Sequence, residues 1–234
     1  MKRKLVINNV VSLISQFITV VCGMFLPRLL LSAFGSTSYG LMSSMSQMLS
    51  CISFLDLGVG SIVQTSFYKP LAKQDNVGIR NIYGSALKYF KTIARIFIIY
   101  IIFLMFYYSF INQNDFSPLY NITLLVALSI SSFAQYYFGI CNQLLLNADQ
   151  KVYIYQIINS ITVILNLVLS IILINIGCNI QIVKLFSSLL YLIRPLYLSL
   201  YVKKHYNLDL ENYDGKNYIR NQWSGMIQHI TTAV

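Results

Sequence analysis

The sequence predicts an all-α, polytopic membrane protein, on three observations. Of 234 residues, 56% are hydrophobic and only 10% are charged, and the mean hydropathy of +0.63 lies above that of soluble globular domains. Six apolar runs are each long enough to cross a hydrocarbon core of about 30 Å, which takes about twenty residues at 1.5 Å rise. The breaks between runs carry turn residues, and Lys and Arg occupy only alternate breaks.

The runs are placed in order. Asn8 to Ala33 follows Lys2-Arg3-Lys4 with no small-residue cleavage site, so it reads as a retained first helix rather than a secretory signal. Tyr39 to Phe67 comes after Phe34-Gly35-Ser36. It is rich in Ser43, Ser44, Ser46, Gln47, Ser50 and Ser53, which read as interhelix hydrogen bonding or as the lining of a hydrated path. Ile82 to Ile111 follows the break from Lys69-Pro70 through Gly78. Leu119 to Leu146, Val152 to Ile176 and Gln181 to Val202 complete the set, separated by Asn147 through Gln150 and by Gly177-Cys178-Asn179. Short breaks make neighbouring helices antiparallel hairpins.

Lys2, Arg3, Lys4, Lys69, Lys73, Arg80, Lys151, Lys203, Lys204, Lys216 and Arg220 fall on one side, whereas the opposite loops hold only Asp115. The positive-inside rule makes that basic side, with the N-terminus, cytoplasmic, and the expected location is the inner, plasma membrane. Lys88, Lys91 and Arg95 share a face at the cytoplasmic end of the third helix, either snorkelling to headgroups or drawing in an anionic substrate. The net charge of +10 is dispersed between apolar spans, which argues against a nucleic-acid partner. Cys22, Cys51, Cys141 and Cys178 form no CxxC pair and lie near no histidine, so no metal is expected. They read as small buried hydrophobes.

After Val202 the chain turns polar, and its end resembles its beginning. A shift of 212 residues matches Ile7 with Ile219, Asn9 with Asn221, Ser12 with Ser224, Gln16 with Gln228, Ile18 with Ile230 and Thr19 with Thr231. The expected organisation is a six-helix transmembrane lobe over residues 1–202, a cytoplasmic inter-lobe loop over 203–218, and the truncated start of a seventh helix over 219–234. Two lobes related by an axis along the membrane normal are a transporter architecture.

Pro27-Arg28, Phe34-Gly35, Tyr39-Gly40-Leu41, Leu55-Asp56-Leu57-Gly58 and Leu71-Ala72 make the opening helix pair resemble that of Wzx-type polysaccharide flippases. These belong to the multidrug/oligosaccharidyl-lipid/polysaccharide exporter superfamily. The match covers about the first quarter of the chain. The resemblance implies export across the inner membrane of an O-antigen or capsule repeat unit carried on undecaprenyl pyrophosphate. The implied mechanism is alternating access, without cofactor or covalent change. Implied partners are the lipid-linked oligosaccharide, membrane lipids, and polysaccharide polymerase and chain-length proteins. A multidrug or small-molecule exporter of the same superfamily stands as the alternative, as does a non-transporting fragment that scaffolds polysaccharide assembly.

Candidate substrate-binding residues are the intramembrane charges, each of which costs at least about 2.5–3.5 kcal/mol near the bilayer centre. Arg28 and Lys184 lie near outer helix ends, while Arg194, before Pro195, and Asp56 lie nearer the inner side. Arg28 and Lys184 also have a snorkelling reading, and Pro27 is expected to kink the first helix beside Arg28. Asp56 either pairs with Arg194 as a structural ion pair or serves as a protonatable gate. Gly58 and Gly60 beside it permit a helix break. Gln16 joins the set as part of the polar pattern of the first helix. Arginine suits a pyrophosphate through charge-assisted bonds. The outer loops are short and nearly devoid of titratable groups, which argues against an enzyme such as a polymerase or sugar transferase.

Overall fold

The structure, a computed structural model, describes residues 2–56, 59–111, 116–206 and 208, with side chains from residue 6 onward except those of 54–56 and 111. Its elements are α1 (Lys2–Ser50), α2 (Val59–Lys73), α3 (Asn76–Ile111), α4 (Pro118–Ala134), α5 (Ile140–Ala148), α6 (Val152–Asn175), α7 (Ile180–Tyr191) and α8 (Ile193–His205). A 3-10 turn, Cys51–Asp56, follows α1, and a π-helical turn, Gln135–Gly139, joins α4 to α5. No strand occurs among the described residues. Five helical stretches are long and apolar enough to cross a membrane: Val6–Ser53, Asn76–Phe110, Pro118–Ala148, Val152–Asn175 and Ile180–His205. The architecture is that of a multi-pass helical membrane protein. Apart from residues 203–206 and 208, the inter-lobe loop and the repeat beginning at Ile219 lie outside the described residues.

The first two expected runs meet within α1, where helical geometry is lost at Gly35 (φ 79°, ψ 169°). That backbone region is essentially open to glycine alone. No such loss occurs at Pro27, where the backbone stays helical. Helices in apolar surroundings tolerate proline when its freed carbonyl is otherwise accommodated. The second run is itself broken: it tightens into the 3-10 turn ending at Asp56 and becomes α-helical again at Val59, while Gly58 lies outside the described residues.

Two other boundaries move. The break expected from Lys69-Pro70 onward begins later, because α2 runs through Pro70 to Lys73. The chain turns at Gln74 (φ 55°), and Asp75 then caps α3, its Oδ1 accepting from Gly78 N at 2.9 Å and its carbonyl from Ile79 N at 3.0 Å. In the last span, Pro195 has no N–H to donate to the Tyr191 carbonyl, and the helix divides at Leu192.

Cross-helix hydrogen bonds fix the directions. Asn8 Nδ2 donates to the Gln150 carbonyl at 2.8 Å, Asn8 Oδ1 accepts from Tyr153 N at 3.1 Å, and Ser15 Oγ donates to the Gln156 carbonyl at 3.2 Å. The first part of α1 therefore runs parallel to α6. Ser44 Oγ meets Tyr108 OH at 2.8 Å and Tyr100 OH donates to the Met48 carbonyl at 2.9 Å, so the later part of α1 runs antiparallel to α3. Gln181 Nε2 donates to Thr123 Oγ1 at 2.8 Å, and Ser188 Oγ to the Ala127 carbonyl, which makes α4 and α7 parallel. Phe67, Phe90, Phe97, Leu124, Leu145 and Leu198 are fully buried between them.

These directions gather Lys69, Lys73, Arg80, Lys151, Lys203 and Lys204 at one end of the bundle. The other end, formed by Gly35, Ser117 and Gly177 to Asn179, carries neither Lys nor Arg among the described residues. At the basic end Lys151 Nζ pairs with Asp149 Oδ2 at 2.7 Å, and the Tyr206 hydroxyl donates to the same oxygen.

Candidate functional site

An open polar cleft lies between α1, α4, α6, α7 and α8. Two connected cavities of about 400 and 290 Å3 share Leu49, Ser50, Ser131, Ser132 and Tyr191 in their walls. The larger is completed by Ser53, Gln135, Tyr136, Tyr155 and Arg194, and the smaller by Ser46, Asn166, Lys184, Ser187 and Ser188. Serines on α1 and the 3-10 turn face serines on α4 because both helices turn their polar stripes inward. Many hydroxyls already bond a carbonyl of their own helix, as Ser46 does to Met42 and Ser187 to Val183, which hides backbone polarity without filling the space.

Arg194 lines the larger cavity. Its Nε donates to Thr162 Oγ1 at 2.6 Å, and its guanidinium carbon lies 4.1 Å from the Tyr191 ring centroid. Thr162 is fully buried. The divided helix at Leu192 and the π turn opposite set this geometry together. A Cβ built on Gly139 would stand 2.9 Å from Pro195 Cβ and 2.5 Å from Gln135 Oε1, so the absent side chain is what lets the turn close on Pro195. A π turn also inserts one residue into the helix, which re-aims the side chains beyond it; such turns concentrate at functional sites.

Arg194 Nη2 and Asn166 Oδ1 are buried with no hydrogen-bond partner. Buried polar groups are normally satisfied, and a guanidinium is never without charge. The one ion pair among the described residues is Lys151 with Asp149, at the basic end. Lys184 and Arg194 therefore stand ten residues apart along the last span, about 15 Å at helical rise, in a cleft where no described carboxylate pairs with either. Such a cleft can hold an anion, with tyrosine faces and hydroxyls able to meet polar or sugar-like groups around it.

Of the five residues chosen from sequence, the structure brings Lys184 and Arg194 into this cleft. Arg28 is exposed on the face of α1 that also carries Val10, Phe17 and Met24, away from the cleft lining. Gln16 is exposed beside the Asn8 and Ser15 face that packs on α6. Asp56 ends the 3-10 turn whose Ile52 and Ser53 line the larger cavity; its side chain lies outside the described residues, and with it the expected pair with Arg194. Sequence reasoning did not single out Thr162, Tyr136, Tyr155 or Tyr191, since a polar or aromatic residue in an apolar run carries no mark of its partner. Gly139, within Gln135-Tyr136-Tyr137-Phe138-Gly139, was the available signal.

Neither a family model, nor a curated protein, nor a solved structure matches the chain.

Proposed function

We propose that the chain is a lobe of a polysaccharide flippase of the Wzx type, translocating undecaprenyl-pyrophosphate-linked oligosaccharide repeat units across the inner membrane by alternating access. The observation that carries this reading is the Lys184 and Arg194 cleft, a hydroxyl-lined hollow within an apolar bundle whose two cations meet no described carboxylate. A charge unpaired inside a membrane protein is costly and is retained where an ion passes or binds. A pyrophosphate is chemically suited to either cation in turn, and arginine binds such oxygens through directed, charge-assisted bonds.

In this reading the chain makes six passes, with α1 divided at Gly35 into two of them. The basic end faces the cytoplasm, where lipid-linked units are made. Arg194 stands nearer that end and receives the headgroup; Lys184 stands nearer the other end and lies further along the path. In this reading Asp56, which ends the 3-10 turn, either neutralises Arg194 between transport events or gates by protonation. A second lobe completes the alternating-access pair, and the polymerase and chain-length proteins take the product on the far side.

Deleting the gene tests the proposal. Lipid-linked repeat units are expected to accumulate on the cytoplasmic face of the membrane. Their undiminished appearance on the outer face would reject the flippase reading.

A further inference from the structure

On the outer surface of α3, away from the cleft, Lys88, Thr92, Arg95, Ile99, Phe103, Phe106 and Phe110 succeed one another at helical spacing on a single exposed face. The first part of the stripe is cationic and the remainder wholly apolar, with Ile99 69%, Phe103 61% and Phe106 63% exposed. Lys91 flanks the cationic part, its Nζ 5.2 Å from the Tyr137 ring centroid, and Arg95 Nη2 lies 3.3 Å from Thr92 Oγ1. Neither α3 nor the stretch from α4 to α5 contains an aspartate or glutamate, so nothing on these helices neutralises the cluster.

We propose that this face is a binding site for one anionic phospholipid, its phosphate held by Lys88, Lys91 and Arg95 and its acyl chains lying along Ile99 to Phe110. The complementarity is twofold. Three cations within two turns of one helix, about 10 Å along its axis, attract a phosphate, as clustered Lys and Arg beside the cytoplasmic leaflet attract anionic headgroups. Directly beyond them, Ile96 to Ile111 gives about 24 Å of uncharged helix, more than the depth of one leaflet of a core about 30 Å thick. A soluble anion has no use for that strip, and a soluble protein partner does not reach it within a bilayer. The Tyr137 ring stacks on Phe133 at 5.6 Å and holds Lys91 at the edge of the site. Simple snorkelling needs the same side chains but no preference among lipids. The inference is independent of the flippase reading.

The full chain, purified in detergent, is exchanged into nanodiscs of phosphatidylcholine alone, with phosphatidylglycerol, or with a polyprenyl phosphate. Retained lipid is then counted by native mass spectrometry. Wild type is expected to retain phosphatidylglycerol about tenfold over phosphatidylcholine, and the doubly substituted Lys88→Gln, Arg95→Gln protein to lose that preference. Lys203→Gln, Lys204→Gln at the helix end is expected to keep it. Should the double variant fail to fold, inorganic phosphate added to wild type reads the same point: displacement of the lipid by free phosphate would make this a soluble-anion site. Equal retention of both lipids by wild type, an unchanged preference in the double variant, or stronger retention of a polyprenyl phosphate would each overturn the proposal.

Discussion

The Arg194 guanidinium lies on the face of Tyr191, 4.1 Å from its centroid, while its Nε is bonded at 2.6 Å to the buried Thr162 of α6. The two contacts fix the plane of the guanidinium and leave Nη2 buried with no partner. A lysine keeps the charge but can neither stack in plane nor hold Thr162 while presenting a second donor. If the chain exports repeat units as proposed, Arg194→Lys is expected to lower that export about tenfold or more, with Tyr191→Leu intermediate and both proteins at wild-type levels in the membrane. Outer-face glycan labelling reads this. Full activity of Arg194→Lys would show that charge alone suffices.

Gly139 sets how closely the π turn approaches Pro195, since a Cβ at this position would stand only 2.9 Å from Pro195 Cβ. Gly139→Ala is expected to cost about 1–3 kcal/mol through overpacking. The neighbouring Gln135 side chain can swing away but Pro195 cannot. Thermal unfolding in detergent checks it, and an unchanged midpoint would mean that α8 shifts freely.

Asn8 clamps the turn before α6, donating to the Gln150 carbonyl and accepting from Tyr153 N. Removing it leaves both backbone groups without that partner near a bundle end, where interhelix hydrogen bonds in membranes are worth about 0.6–1.7 kcal/mol. Asn8→Ala is expected to lose about 1–2 kcal/mol in denaturant titration, with Asn8→Asp recovering only the acceptor half. No loss on Asn8→Ala would show that the clamp holds nothing in place.

At the basic end, burial and the Asp149 carboxylate that accepts its bond push the Tyr206 hydroxyl above the ordinary tyrosine value of 10.0. The folded form then holds this proton to higher pH than the unfolded chain. Its contribution to stability is whole below pH 10 and is lost as pH rises beyond it. Wild type is expected to lose more stability above pH 10 than Tyr206→Phe, which has no such proton. Parallel curves would contradict this.

Much of this fold is legible in the sequence because hydropathy reports span length directly. Val152 to Ile176 is α6 to within one residue, and Leu119 to Leu146 falls inside Pro118–Ala148. Gly35 is legible as a break because glycine alone takes its backbone angles. Pro27 marks no end of the helix, since proline removes a hydrogen bond without taking the backbone out of helical angles. The π turn is hidden because one inserted residue leaves composition and length untouched. Depth along the bundle is legible for Lys184 and Arg194, but the face each presents depends on the division at Leu192 and on packing against α4. For Arg28, the exposed face shared with Val10, Phe17 and Met24 is implicit in helical spacing, yet only packing shows which face is inward.

The most direct measurement is the rate at which newly made repeat units become accessible to a membrane-impermeant glycan label in cells whose deleted gene is replaced by wild type or by Lys184→Gln, Arg194→Gln. Anion binding in the cleft predicts wild-type restoration of labelling and near-background labelling in the double variant at equal membrane abundance. Wild-type labelling by the double variant would contradict it.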